Sequence, residues 1–139
     1  MPGELSTFGA AKVLDAITGR AFWKTAPFST YAMLLTAVPD DDATLPTLAE
    51  LTTGGYTRAQ VTWSAATATS PSTISNSTLL GFGALTADMV QPAVAVALTT
   101  TATGTAGDYL MWWSLDQPMQ IQTGQQLQIA PGKLSMTLT

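Results

Sequence analysis

The alternation of apolar and polar positions predicts a chain made mostly of short strands, and its centre is the stretch from Asp108 to Asp116. Alternate side chains of this stretch form two rows, one of Tyr109, Met111, Trp113 and Leu115 and the other of Leu110, Trp112 and Ser114. Both rows are mostly apolar, and a strand of this kind is normally covered on both faces. We therefore expect it in the middle of the fold, ended by Pro118.

Other segments with strand composition or period-two alternation are, in chain order, 30–37, 56–63, 78–83, 93–100, 119–122, 126–129 and 133–139. The segment 64–77 is rich in Ala, Thr and Ser and contains Pro71, so it is predicted to be a loop or the ordered edge of a sheet. Because 133–139 alternates to its last residue, we expect this segment to be a strand that contributes to the core.

One helix is predicted at the front of the chain. Ser6 or Thr7 can cap it, and Gly19 can end it. Apolar residues at three-residue spacing form a stripe along it, namely Phe8, Ala11, Leu14 and Ile17. A single helix in a β-rich chain is expected to lie on a sheet face or on another subunit.

Together these elements predict a mainly β protein, an antiparallel β-sandwich or flattened barrel of about seven to eight strands with one N-terminal amphipathic helix. The length of 139 residues fits a single domain. Within it, residues 1–23 are expected to form an N-terminal arm and helix, and residues 24–139 the β-sandwich body.

The composition excludes several kinds of chemistry. The chain has no cysteine and no histidine, so thiolate nucleophiles, histidine bases and Cys or His metal sites are ruled out. No pair of carboxylates is singled out by spacing, and Asp40 to Asp42 lack the pattern of a calcium loop, so these acids are expected in a solvated turn. We expect no enzymatic activity, no catalytic or metal-binding residues and no cofactor.

Charge narrows the choice of partners. The net charge is −4 without a basic patch, which argues against nucleic-acid binding. No apolar run approaches the roughly 20 residues of a membrane helix, and the start of the chain lacks the features of a signal peptide.

Only 10% of the residues are charged, against about 25% in ordinary domains. Such a surface favours close contact with other protein; the alternative is a stable, Thr-rich extracellular domain without an obligate partner.

Large apolar residues are the candidate contacts to other protein. The interface or anchor candidates are Phe8, Leu14, Ile17, Trp23, Trp112 and Trp113. Packing in the core or between subunits is one role for the Trp112 and Trp113 pair. Stacking on a sugar face is the other, and it would make the protein a carbohydrate-binding β-module.

Several motifs resemble a family of small structural proteins of tailed bacteriophages, described variously as head decoration, minor structural or tail-fibre proteins. The resemblance spans about residues 8 to 139. It is carried by 31–37, by the Glu-Leu-Thr-Thr-Gly-Gly-Tyr-Thr-Arg run at 50–58, by Asn76, and by the ending with Gly124, Leu127, Ile129, Gly132 and Leu134. It implies a virion component with a β-sandwich body and no enzymatic activity.

Among virion roles, the short single domain without coiled-coil or fibre repeats favours a capsid decoration, or cement, protein. Such a protein would be assembled in the host cytoplasm, bind the major capsid protein on the outer head shell and stabilise it. The alternative is a tail-fibre, baseplate or receptor-binding component. In either case we expect a homo-oligomer, with a trimer as the expected state, and no nucleic-acid or membrane partner.

Overall fold

The computed structural model describes residues 3–21, 24 and 28–138. Within these ranges lie one α-helix, α1 (Thr7–Ile17), and a 3₁₀ turn at Leu45–Thr47. The strands there are β1 (Gly3–Leu5), β2 (Thr30–Leu35), β3 (Ala59–Val61), β4 (Ser72–Ser75), β5 (Leu80–Ala84), β6 (Ala93–Thr99), β7 (Tyr109–Met119), β8 (Gln126–Ile129) and β9 (Ser135–Leu138). Trp23, one of the predicted anchors, lies outside the described residues.

The strands form one large and two small antiparallel sheets. The large sheet has the order β1-β7-β6-β2-β3, and the small ones are the pairs β4-β9 and β5-β8. The prediction of a mainly β, antiparallel protein with one N-terminal helix is confirmed, with nine strands in the described residues instead of seven or eight. The large sheet does not close into a barrel, because β1 and β3 each pair with one neighbour only.

The main core lies between one face of the large sheet and the two small sheets. Its buried residues come from β2, β3, β6 and β7 on one side and from β5, β8 and the following loops on the other. They include Leu34, Val96, Met111, Trp113, Phe82, Leu127, Ile129 and Leu134. Two layers packed in this way make a sandwich.

The opposite face of the large sheet carries a second, smaller core, which we call the second cluster. It contains Met33, Leu35, Ala95, Ala97 and Tyr109, closed by Leu45 of the 3₁₀ turn, with Ala43, Leu48, Val94 and Trp112 packed around it. The central strand β7 is therefore covered on both faces, as its doubly apolar sequence predicts.

A bulge in β7 corrects the predicted side-chain rows. Leu98 pairs with Met111 while Thr99 pairs with Tyr109, so Leu110 is an extra residue in this strand. An extra residue reverses the alternation beyond it. Tyr109 consequently lies in the second cluster, on the face opposite Met111, and its predicted place in the row of Met111 is wrong.

The far end of β7 also differs from the prediction. The strand continues through Pro118 to Met119, because Ala93 pairs with Met119 after an irregular section that begins beyond the pair of Ala95 and Ser114. Proline is tolerated there because the irregular section does not require its missing N–H group. The predicted strand at 119–122 is not formed, since Met119 ends β7 and 120–122 is irregular.

Two short strands involve segments that were not firmly predicted to be strands. The segment 64–77 contains β4, which pairs along its whole length with the terminal strand β9. At the front, β1 pairs with β7, with Glu4 opposite Trp112. Residues 3–5 thus belong to the main sheet, although the predicted boundary at 23/24 assigns them to an arm.

Candidate interaction surfaces

The helix α1 is attached to the sheet by its first turn. Ser6, which is 1% exposed, is its N-cap, and its Oγ accepts a hydrogen bond from the Gly9 amide at 3.0 Å. The same hydroxyl lies 2.8 Å from the carbonyl oxygens of both Tyr109 and Leu110, which share its single proton. The Thr7 amide donates to the Asp41 carbonyl at 2.9 Å. The predicted cap is therefore confirmed, and it also ties the helix to β7.

Gly9 allows this close approach. It is the buried residue of the helix, and a Cβ at its position would overlap the carbonyl oxygen of Leu110. A glycine in the middle of a helix normally costs stability relative to alanine. Here the small residue is required because the helix backbone lies directly against β7.

Most of the predicted stripe on α1 points away from the body. Leu14 is 63% exposed and Ile17 is 72% exposed, whereas Phe8 is 37% exposed and lies with its ring 5.2 Å from the Lys12 ammonium. The body of the chain therefore leaves most of Leu14 and Ile17 uncovered. Contact of the stripe with another subunit, the other place expected for the helix, stays a prediction. We call the outward residues Ala11, Leu14 and Ile17 the helix stripe.

A groove opens in the segment that follows β2. It has a volume of about 660 Å³ and is lined by residues 37–43 and 47–49, and we call it the acidic groove. Its apolar part includes Val38, which is 58% exposed, and Leu48. Asp40, Asp41 and Asp42 lie in the exposed turn that was predicted for them, and no metal-binding group of side chains is found in the described part of the chain.

The two adjacent tryptophans lie on opposite faces of the sheet. Trp113 is fully buried, its Nε1 donates to the Ser135 carbonyl at 2.9 Å, and its ring stacks on Trp63 at a centroid distance of 6.2 Å. Trp113 therefore packs in the core of its own chain. Trp112 is half-buried beside the second cluster, at a cavity of about 330 Å³ that also contacts Glu4 and Asp116. The pair cannot form a joint stacking platform for a sugar.

Three polar atoms at the second cluster are buried without a hydrogen-bond partner among the described residues. They are Thr99 Oγ1, Tyr109 OH and Trp112 Nε1. Burial raises the pKa of Tyr109 well above its usual range, and the nearby carboxylates of Asp41 and Glu4 add to this effect. The phenol is therefore neutral at all ordinary pH values.

An ion pair lies within the connection between β2 and β3, and its arginine also contacts the loop between β6 and β7. Arg58 binds both carboxylate oxygens of Glu50, from Nε at 2.7 Å and from Nη2 at 3.0 Å, and its guanidinium also donates to the carbonyls of Thr101 and Gly104. The Tyr56 hydroxyl donates to Glu50 at 3.1 Å and accepts the Leu34 amide at 3.0 Å. Burial, with Glu50 nearby, raises the pKa of Tyr56 far above its usual value.

This clamp was not predicted, although Glu50 and Arg58 stand eight positions apart in a chain with few charges. The glycines of the same run also serve packing. Gly55 has φ of +86°, and a Cβ there would overlap the Ala84 carbonyl, while one at Gly83 would overlap the Gly55 carbonyl. The run at 50–58 that carried the family resemblance is thus structural.

Asn76 has a comparable role for the end of the chain. It is 1% exposed, its Oδ1 accepts the Leu134 amide at 2.9 Å, and its Nδ2 donates to the carbonyls of Thr78 and Ala130. The Gly132 amide donates to the Asn76 carbonyl at 2.8 Å. Two further parts of the resemblance, Asn76 and the Gly132 to Leu134 ending, are therefore fastened to each other.

The described helices offer no segment long and apolar enough to cross a bilayer.

A family model described as "Podophage GP4 fiber I protein gp80" matches residues 4–137, nearly the whole chain. No curated protein matches the chain. The matched family is one of structural fibre proteins and is not an enzyme family. The chain therefore belongs to the podophage GP4 fiber I protein gp80 family and is a structural protein of a phage virion.

Proposed function

We propose that this protein is a subunit of a fibre on the phage particle. The observation that carries the proposal is the family match, which extends over residues 4–137 and therefore over both layers of the sandwich and the helix. This proposal favours the alternative of a tail-fibre component over the capsid decoration role that the chain's short length suggested.

A fibre subunit acts by contact and needs no reaction chemistry. The body supplies a rigid sandwich, and the helix stripe supplies apolar side chains that its own chain leaves uncovered. The few charges on the surface reduce the cost of removing water from a contact. A standard interface buries roughly 800 Å² on each partner, which a chain of this size can provide.

The expected partners are other copies of the chain and neighbouring virion proteins. Most homo-oligomers close by symmetry, and the closed state proposed for this chain is a trimer. Of the predicted anchors, Phe8, Leu14 and Ile17 are accessible on α1, and Trp112 is partly accessible. Trp113 is buried in the core, so its role in contacts with partners is indirect: it stabilises the body that carries the accessible anchors.

Capsid decoration remains the second candidate. A hydroxyl-rich, charge-poor surface would also suit a protein that binds the major capsid protein and stabilises the head. Binding to the intact shell in preference to its separated subunits would transfer binding free energy to the shell. In that role the copies would lie on the capsid surface.

The location of the protein on the particle tests the proposal. An epitope tag on the chain, detected by gold-labelled antibody in electron micrographs, should mark fibres and leave the icosahedral lattice unmarked. Labels spread over the lattice would overturn the fibre role and favour decoration. Untagged particles give the background level of gold.

Particles made without the protein test the same proposal by function. They should lose adsorption to the host while retaining their DNA on heating as well as complete particles do. Complementation with the wild-type chain supplied in the same host should restore adsorption. Normal adsorption together with early loss of DNA would contradict the fibre role.

A further inference from the structure

We propose that copies of this chain associate head to tail, with the helix stripe of one copy bound in the acidic groove of the next. The occupant of the groove is thus the α1 helix of a second copy. This inference concerns the purified protein and does not depend on whether the particle carries it on a fibre or on the head.

The two surfaces are complementary in their apolar contacts. The helix stripe presents Leu14 and Ile17 at 63% and 72% exposure, on a helix whose one fully buried residue is Gly9. The acidic groove presents Val38 at 58% exposure, and Leu48, which packs on the second cluster, is half-buried in its lining. Exposed apolar surface of this kind marks sites of contact with protein. The groove volume of about 660 Å³ gives room for large side chains.

The two surfaces are also complementary in charge. Three of the five basic residues in the chain, Lys12, Arg20 and Lys24, fall on α1 and just after it, against one acid there, Asp15, which pairs with Arg20. The groove has three aspartates in a row, and neither ion pair found among the described residues, Arg20 with Asp15 or Arg58 with Glu50, involves them. Opposite charges so concentrated in a charge-poor chain would steer the helix to the groove and fix its orientation.

The groove is not filled by the helix of its own chain. Thr7 donates to Asp41, so α1 begins beside the groove, yet no residue of α1 lines it and Leu14 and Ile17 remain exposed. Because helix stripe and groove are different surfaces, an interface between them is heterologous. Such an interface gives a closed ring, including a trimer, when its rotation closes, and a filament when it does not.

Two variants with complementary defects test this arrangement. The helix variant carries Leu14→Gln and Ile17→Gln, and the groove variant carries Val38→Arg, which removes the apolar contact and opposes the basic segment. Matched controls make the same kinds of change at exposed apolar residues elsewhere, Leu79→Gln at 52% exposure and Val90→Arg at 90% exposure. Sedimentation of the purified proteins at micromolar concentration, with circular dichroism to verify folding, gives the readout.

The wild type and both controls should sediment as oligomers. Each interface variant alone should associate at least about tenfold more weakly, which corresponds to ~1.4 kcal/mol. An equimolar mixture should restore one good interface per pair, between the intact helix of the groove variant and the intact groove of the helix variant. The mixture should therefore give dimers that do not grow further.

Other results would overturn the proposal. If the groove variant associates like the wild type while the helix variant is monomeric, the interface is formed by two helices and the groove is not used. Variants that both associate normally would place the interface elsewhere. A wild type that remains monomeric at all these concentrations would exclude self-association through these surfaces.

Discussion

Glu50 and Arg58 form a two-pronged ion pair, with N to O distances of 2.7 and 3.0 Å, that joins the two ends of the stretch 50–58 in the connection between β2 and β3. The Arg58 side chain is only 5% exposed, and two further N–H groups donate to the carbonyls of Thr101 and Gly104. Planar, paired recognition of this kind suits arginine and not lysine. The pair is the one strong electrostatic contact among the residues that the structure describes.

Loss of this arginine should destabilise the fold. In Arg58→Met, the Glu50 carboxylate loses its ion-pair partner and two carbonyls lose their donor, and we expect the free energy of unfolding to fall by about 3 kcal/mol. The free energy of unfolding of Arg58→Lys should lie between those of Arg58→Met and the wild type. Urea unfolding at neutral pH measures the difference. Arg20→Met, at an ion pair whose arginine side chain is 73% exposed, is the control and should change stability by less than about 0.5 kcal/mol. Equal effects at the two positions would contradict the assignment of a structural clamp.

Gly9→Ala should destabilise the helix attachment. In an open helix this change stabilises by about 1 kcal/mol. Here the added methyl group would overlap the Leu110 carbonyl, so the sign should reverse, with a loss of about 1–3 kcal/mol. Amide hydrogen exchange should show reduced protection over residues 7–17. Gly124→Ala, at a positive-φ turn outside the helix, is the comparison; its backbone strain should cost stability without a selective loss of protection over residues 7–17. Unchanged protection in Gly9→Ala would refute the close contact.

Tyr109→Phe should stabilise the protein. The hydroxyl of Tyr109 is buried without a hydrogen-bond partner among the described residues, so removing it relieves a desolvation cost of about 1 kcal/mol. Tyr56→Phe is the matched control, because that hydroxyl binds both Glu50 and the Leu34 amide, and it should lower stability by about 1–2 kcal/mol. Thermal and urea unfolding of the two variants give the comparison. Destabilisation by Tyr109→Phe would show that the hydroxyl has a partner in solution.

Stability should fall as the pH rises above about 10, the pKa of tyrosine in an unfolded chain. Burial raises the folded pKa of both Tyr56 and Tyr109, so the unfolded chain releases these protons first. Each tyrosine therefore contributes fully to the free energy of unfolding below that pH. The contribution is lost as the pH rises above it, at up to about 1.4 kcal/mol per pH unit for each tyrosine. Urea unfolding across this alkaline range measures the slope, which Tyr109→Phe should reduce. An unchanged slope in that variant would count against its raised pKa.

The local features of the fold were accessible from the sequence. Ser6 is the N-cap of α1, Gly19 follows its end with φ of +69°, and β2, β6 and β8 occupy segments whose composition or alternation predicts strands. These signals are local, since capping, turn chemistry and side-chain alternation act over a few residues.

Features that depend on contacts between residues far apart in the chain could not be predicted from the sequence. The bulge at Leu110 exists because β7 must pair with β6 on one register near Trp113 and on another near Tyr109. The outward stripe of α1 showed apolar spacing in the sequence, but the spacing could not show that Gly9, and not Leu14, would face the sheet. The clamp of Glu50 and Arg58 likewise depends on loops that meet only in the folded chain.

The scarcity of ion pairs has a consequence for the conditions that the subunit tolerates. Dissolved ions weaken exposed charge pairs strongly and buried contacts little. The one exposed ion pair of the described chain, Arg20 with Asp15, contributes little, and Arg58 with Glu50 is largely shielded. The free energy of unfolding of the subunit should therefore be nearly the same at low and at high ionic strength. A particle transferred between such media should not lose this subunit through unfolding.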